Sequence, residues 1–432
     1  MSTTVSIIGA GFAGCEAAWH LAERGVNVTL YEMKPVAYSP AHKSKNFCEL
    51  VCSNSFKAKR VESAAGLLKA EMKRLGSLCV GCAEQTAVPA GGALAVDRDA
   101  FSALVSQKIR SHPRIEVVCE ELKDFPEGIV IVATGPLTAQ ALAEKISCKC
   151  GDALSFYDAA APIVSAESVD EAFAFRQSRY DRGGEDDYLN CPLNKEEYER
   201  FHEALIHAES ALVHEFDVYE GCMPIEKLAK RGKDAIRFGP MKPVGLRDPR
   251  TGHRPWAVLQ LRKENSLGTL CNLVGFQTNL KFGEQKRVFS MIPALHDAVF
   301  ERYGVMHRNC FIRSPQVLAP TLQLKSEPRL FFAGQITGVE GYMESASGGI
   351  LAGMNACAYL EGREGIVLPE VTMMGALTAY ITDATVKDFQ PMGANFGILP
   401  PIEPKIRDKK ERYAALAARS LAYFDKLSIT EN

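Results

Sequence analysis

The 432-residue sequence lacks an excess of charge of either sign: 50 Lys and Arg stand against 52 Asp and Glu, for a formal net charge of -2. That balance excludes a uniformly basic nucleic-acid binder, so any RNA contact has to come from local patches. No apolar run reaches the ~20 residues a membrane-spanning helix needs, and no membrane partner is expected. The opening stretch MSTTVSIIGAG has no basic segment and no cleavage site before it enters a glycine turn, so no secretory leader is expected. Internal repeats and low-complexity tracts are also missing. Cysteine, by contrast, is plentiful. An odd 13 of them without a leader fits reduced thiols in a cytoplasm better than a disulfide framework.

The length argues for two domains, and 47% hydrophobic with 24% charged residues describes an ordinary globular chain. Val5 to Ile8 reads as a strand, Gly9 to Gly14 as a turn and Cys15 to Arg24 as a helix stopped by Gly25. Val26 to Tyr31 then makes a parallel strand ending at Glu32, which completes one βαβ unit. Residues 35–62 are polar and basic, helical pattern resumes over Ala64 to Leu75, and Ile129 to Ala133 is another apolar strand. From about residue 156 the composition shifts to Gly/Pro-rich loops, a helix over Lys195 to Glu209 and short strands at Trp256 to Leu261 and Cys271 to Gly275. The parallel-sheet signature returns at Leu330 to Ala333, ahead of a helix over Ser345 to Leu360. The expectation is an α/β fold in which a Rossmann domain (1–155 and 316–432) is interrupted by a smaller α+β insertion (156–315).

Gly9-Ala10-Gly11-Phe12-Ala13-Gly14 is a G-x-G-x-x-G turn after a strand and before a helix. Gly9 allows the bend, Gly11 lets the backbone approach a pyrophosphate, and Gly14 lets helix and strand pack closely. Glu32 sits where an acid accepts hydrogen bonds from ribose hydroxyls and repels a 2′-phosphate. Two later elements, Ala133-Thr134-Gly135 and Phe331-Phe332-Ala333-Gly334-Gln335, resemble the second and third FAD contacts of glutathione-reductase-like flavoproteins, with Gln335 where that group usually has Asp. The resemblance implies FAD, with backbone N–H groups of the Gly338-Val339-Glu340-Gly341 loop near the isoalloxazine ring.

Six longer stretches are more specific: Glu49 to Ser55, Val88 to Arg98, Phe156 to Val164, Glu220 to Glu226, Phe238 to Leu246 and Gly304 to Asn309. With Gly334 to Tyr342 they resemble the TrmFO family, folate- and FAD-dependent tRNA (uracil-5-)-methyltransferases, over nearly the whole chain. The resemblance implies that methylenetetrahydrofolate gives a one-carbon unit to C5 of uridine 54 in the tRNA T-loop. It also implies that reduced FAD supplies the electrons and that NADH or NADPH re-reduces the flavin. C5 of uracil is a poor nucleophile until a thiolate adds to C6, so the chemistry needs a cysteine. Cys222 matches the family's nucleophile and Cys52 its second functional cysteine. Lys57, Lys59 and Arg60 are the cations expected to act on Cys52. A free cysteine is most often a small buried hydrophobe, and the motif match is what singles these two out.

Other signals carry less. Cys79 and Cys82 form a CxxC and Cys148 and Cys150 a CxC, but the pairs are far apart with no histidine alongside, so no metal site is expected. Cys48 is close enough in sequence to Cys52 to suggest a disulfide, and His307 in a family-like motif reads as structural. Lys43 to Arg74 holds eight Lys/Arg against three acids, Lys227 to Arg250 eight against two, and Lys405 to Arg412 forms a shorter patch. These suit phosphate contacts, with Tyr219, Phe238 and Tyr342 as stacking platforms for an extruded base. The competing readings are the same chemistry on ribosomal RNA, a GidA-type modification of wobble uridine, a small-molecule flavin oxidoreductase and a non-catalytic FAD module. No protein partner is inferable.

Overall fold

A computed structural model describes residues 4–151, 154–181, 184, 187–211, 223–386 and 389–430, with the side chains of 154–158, 181, 307, 308 and 427–430 outside that description. Its main sheet has six strands in the order Gln323–Leu324, Glu327–Phe332, Ile129–Val132, Thr4–Ile8, Asn27–Glu32 and Ile115–Cys119. Every pairing is parallel except the first, which is antiparallel. Thr4–Ile8 is central, and Val5 and Ile7 on one face and Ser6 and Ile8 on the other are all buried, as both faces of a parallel sheet must be.

The first helix runs Phe12–Glu23 and packs along Tyr342–Leu360. The contact is close because Gly349 and Gly353 face it: a Cβ on Gly349 would stand 2.1 Å from the Ala13 carbonyl oxygen, and one on Gly353 2.9 Å from that of Ala17. The two ends of the sequence are thereby joined into one layer over the sheet. The helix begins inside the glycine turn, three residues before the expected start, because its N-cap is Gly11.

A second six-stranded sheet, wholly antiparallel, orders Phe175–Arg176, Leu189–Leu193, Ala257–Lys263, Leu270–Leu273, Ile163–Ser165 and Phe300–Arg302. Helices Lys195–His207 and Phe282–Phe289 cover it, around a core of its own that includes Phe201, Phe276 and Phe289. The pair Leu154–Ala159 and Met306–Phe311 runs antiparallel between the two sheets' segments. A small three-stranded sheet joins Ser55–Ala58, which lies in the polar stretch 35–62, to Ala93–Val96 and Ala87–Val88. Among the described residues no helix is long and apolar enough to cross a membrane.

Candidate functional site

At the C-terminal ends of the parallel strands lies a cleft enclosing about 1310 Å³ counted out to its open mouth. Gly9, Ala10, Gly11, Phe12, Ala13, Glu32, Thr134, Gly135, Gly334 and Gln335 all line it, together with Cys52 and Tyr342. The three turn glycines divide their work visibly. Gly9 has φ +99° and a Cβ there would sit 2.6 Å from the Ala133 oxygen; a Cβ on Gly14 would sit 1.8 Å from the Gly9 oxygen. Gly11 would meet nothing within 4 Å. Two glycines are locked in packing and the middle one borders open space at a helix N-terminus, which is the cradle a pyrophosphate requires.

Glu32 is buried, and its carboxylate accepts from Ala10 N at 2.8 Å and Lys34 N at 3.0 Å. Those bonds hold the acid against the turn and leave acceptor capacity facing the cleft. Phe12 anchors the turn from behind: its ring stacks on Tyr342 (4.8 Å) and Phe101 (5.6 Å) and meets Phe56 edge-on (5.8 Å). Phe56 belongs to the strand following Cys52, so one aromatic cluster ties the turn to the thiol's segment.

That segment is held at every residue. Cys52 N donates to the Tyr342 hydroxyl at 2.9 Å, Arg98 Nη2 to the Cys52 oxygen at 3.2 Å, and Arg302 Nη2 to the Val51 oxygen at 2.7 Å. Arg98 also donates to the Leu50 oxygen and pairs with buried Glu264. Buried Arg262 bonds Ser53 Oγ at 3.2 Å and Asn54 Oδ1 at 2.7 Å, while Asn54 Nδ2 reaches the oxygens of Val96 and Lys263. The string Val51-Cys52-Ser53-Asn54 is thus a junction between the Rossmann sheet's elements and those of the second sheet.

Several expectations need correction. Arg98 and Arg302 lie within electrostatic range of Cys52, cations that the sequence did not single out for it; of the expected cations, Lys57 Nζ reaches Glu344 at 3.1 Å, and Lys59 lines a separate cavity between the helices Ala64–Arg74 and Leu78–Gln85. Cys48 does not point to Cys52. Its thiol is buried against Cys15 and Cys79, and burial pushes it well above the ordinary thiol range, the inert state. Gly338, Val339, Glu340 and Gly341 do not line the cleft. The Gly338 N–H goes to the Gln335 oxygen and the Glu340 N–H to the Met392 oxygen, and Glu340 holds Gln335 Nε2 at 2.8 Å. Gly14 is likewise behind the wall, as its packing role demands. Cys222 and Tyr219 lie outside the described residues, as does the His307 side chain. Phe238 is 67% exposed, beside Arg237, whose guanidinium stacks 3.8 Å over Trp256. Arg98 carried a signal in its Val96-Asp97-Arg98 motif; Arg302 carried none.

The family model described as glucose inhibited division protein A matches residues 4–364. The methylenetetrahydrofolate–tRNA-(uracil-5-)-methyltransferase TrmFO of Geobacter sulfurreducens is 56% identical over 98% of this chain and 99% of its own. That of Pelotomaculum thermopropionicum is 57% identical over 99% of both chains. Among solved structures, Aquifex aeolicus GidA superposes with a TM-score of 0.72 at 17% identity, covering 98% of this chain and 76% of that one, a likeness of fold.

Proposed function

The chain belongs to the TrmFO family, and from that premise we propose that it methylates C5 of uridine 54 in the tRNA T-loop with methylenetetrahydrofolate as one-carbon donor. The observation that carries the reading is the placement of Cys52 in the wall of the same cleft as the Gly9–Ala13 turn. The turn and Thr134-Gly135 would hold the pyrophosphate side of FAD, Glu32 its ribose, and Gly334, Gln335 and Tyr342 the ring side, with Gly14 and the Gly338 to Gly341 loop supporting from behind. FAD, reduced by NADH or NADPH, would supply the electron pair that turns a methylene into a methyl group.

The chain's own residues do the rest. The Cys222 thiolate adds to C6 of the uracil, which raises electron density at C5 so that a bond to the one-carbon unit can form. The Cys52 sulfur takes the C5 proton as the nitrogen that carried the one-carbon unit leaves its carbon; the electron pair delivered to that carbon then makes it a methyl group, restores the C5–C6 double bond and expels the Cys222 sulfur. The aromatic cluster of Phe12, Phe56, Phe101 and Tyr342 fixes the thiol's segment against the turn, so the proton acceptor and the flavin cradle keep one geometry. Such a reaction belongs in the cytoplasm, where thiols stay reduced.

The test is to incubate reduced holoenzyme and labelled methylenetetrahydrofolate with T-loop RNA carrying uridine or cytidine at position 54. Label should reach only the uridine form; label on both, or on neither, refutes the reading. Equal transfer to a ribosomal RNA fragment would favour the ribosomal alternative, and FAD-dependent turnover without any RNA labelling the small-molecule one. Cys222→Ser should abolish a covalent RNA adduct, and an adduct that persists moves the nucleophile elsewhere.

A further inference from the structure

We propose that Arg98 and Arg302 are positioning residues for Cys52, which clamp its segment by successive carbonyls and hold its sulfur as a thiolate; this rests on the catalytic role given to Cys52 above. The two guanidiniums come from different parts of the fold. Arg98 opens the helix Arg98–Ser111, and Arg302 closes the strand Phe300–Arg302 of the second sheet. Arg302 fixes the carbonyl before Cys52 and Arg98 the carbonyl of Cys52 itself. Both also lie within electrostatic range of the Cys52 sulfur and the Tyr342 hydroxyl.

Among the groups facing the thiol from its packed neighbours are Arg98, Arg302 and Tyr342, with Glu264 and Arg262 behind. Glu264 balances Arg98 through a direct ion pair. Arg262 spends its bonds on Ser53 and Asn54. Arg302 appears in no ion pair among the described residues, and its charge is the one left for the sulfur. A cation beside a thiol favours the thiolate, and only the thiolate can take a proton. An arrangement that needed only to hold the loop could use neutral amide donors, as Asn54 does nearby. Two largely buried guanidiniums around one half-buried cysteine point to charge as well as shape.

The experiment is alkylation of Cys52 by iodoacetamide in the holoenzyme, followed by mass spectrometry of the Cys52 peptide from about pH 5 to 10. In wild type the rate midpoint should lie below the ~8.5 of a free cysteine. Arg302→Gln should raise it by about one unit, slowing alkylation roughly tenfold at neutral pH. Arg302→Lys should restore the midpoint. A purely structural clamp would change the high-pH plateau, which reports access, and leave the midpoint where it was. An unchanged midpoint in Arg302→Gln overturns the proposal, as does a wild-type midpoint at or above that of a free thiol. Arg98→Gln would strand buried Glu264, so Arg302 variants are the primary probes, with flavin absorbance and melting as controls for folding. Should Cys52→Ser keep full methylation, the catalytic assignment fails instead, a result separable from the alkylation profile.

Discussion

Replacing Gly14 by alanine would put a Cβ 1.8 Å from the Gly9 carbonyl oxygen. Ordinary contact begins near 3.4 Å, so the turn or the helix Phe12–Glu23 must retreat by about 1.6 Å, and neither can do so freely. The helix is pinned against Tyr342–Leu360 through Gly349 and Gly353, and the Gly9 N–H is bonded to the Tyr31 oxygen at 2.8 Å. Overpacking of this kind costs about 1–3 kcal/mol, borne by the element that is to receive a pyrophosphate. FAD affinity should therefore fall roughly 5- to 150-fold, and the apoprotein should melt earlier. The control is Gly11→Ala, whose Cβ meets no protein atom within 4 Å. It should leave apoprotein melting untouched and still weaken FAD, because the methyl enters the space reserved for the ligand. The assay is flavin fluorescence quenching on titrating apoprotein, with denaturation of the apo form alongside. Should Gly11→Ala bind FAD as wild type does, or Gly14→Ala melt and bind normally, the division of labour among the turn glycines is wrong.

Glu32→Ala removes a carboxylate that accepts from Ala10 N and Lys34 N; charged hydrogen bonds are worth about 1.5–3 kcal/mol, so FAD titration should show at least a tenfold loss, and unchanged affinity would contradict the assigned role. Glu71, fully buried under donors from Met373, Met374 and Ser420, has its carboxyl pushed by burial to about 7. Its folded value lies above the unfolded ~4.3, so the native state holds an extra proton between the two. The associated stability is present below that unfolded value and is lost as pH rises through 7, by about 4 kcal/mol. Urea denaturation across pH 4 to 8 should show that decline in wild type and lack it in Glu71→Gln; parallel curves for the two proteins would refute it.

Much of the flavin end was legible in the sequence because each part is local. Strand, turn, helix and acid lie within Val5 to Glu32, and glycine spacing carries the physics. The first helix starts earlier than expected because the last residues of the turn are already helical. Ser55–Ala58 escaped notice since only Phe56 in it is buried, too little for an alternating pattern. The thiol's surroundings were the least legible. Sequence proximity favours Lys57 to Arg60, whereas tertiary folding brings Arg302 to Val51 from 251 positions away. The Gly338 to Gly341 loop looked like a donor of free N–H groups because nothing nearby announces Met392, which takes one of them.

The order of the main sheet also has a temporal side. Ile129–Val132 pairs on one edge with Thr4–Ile8 and on the other with Glu327–Phe332, so its second neighbour is synthesised nearly two hundred residues after it. At ~5–20 residues per second a ribosome needs about 10–40 s to make that stretch. Throughout that interval a wholly apolar strand, three of whose four residues are buried in the finished fold, presents an open edge to the cell. The nascent chain meets its greatest aggregation hazard there, and a chaperone that covers strand edges would act on this protein before its last third exists.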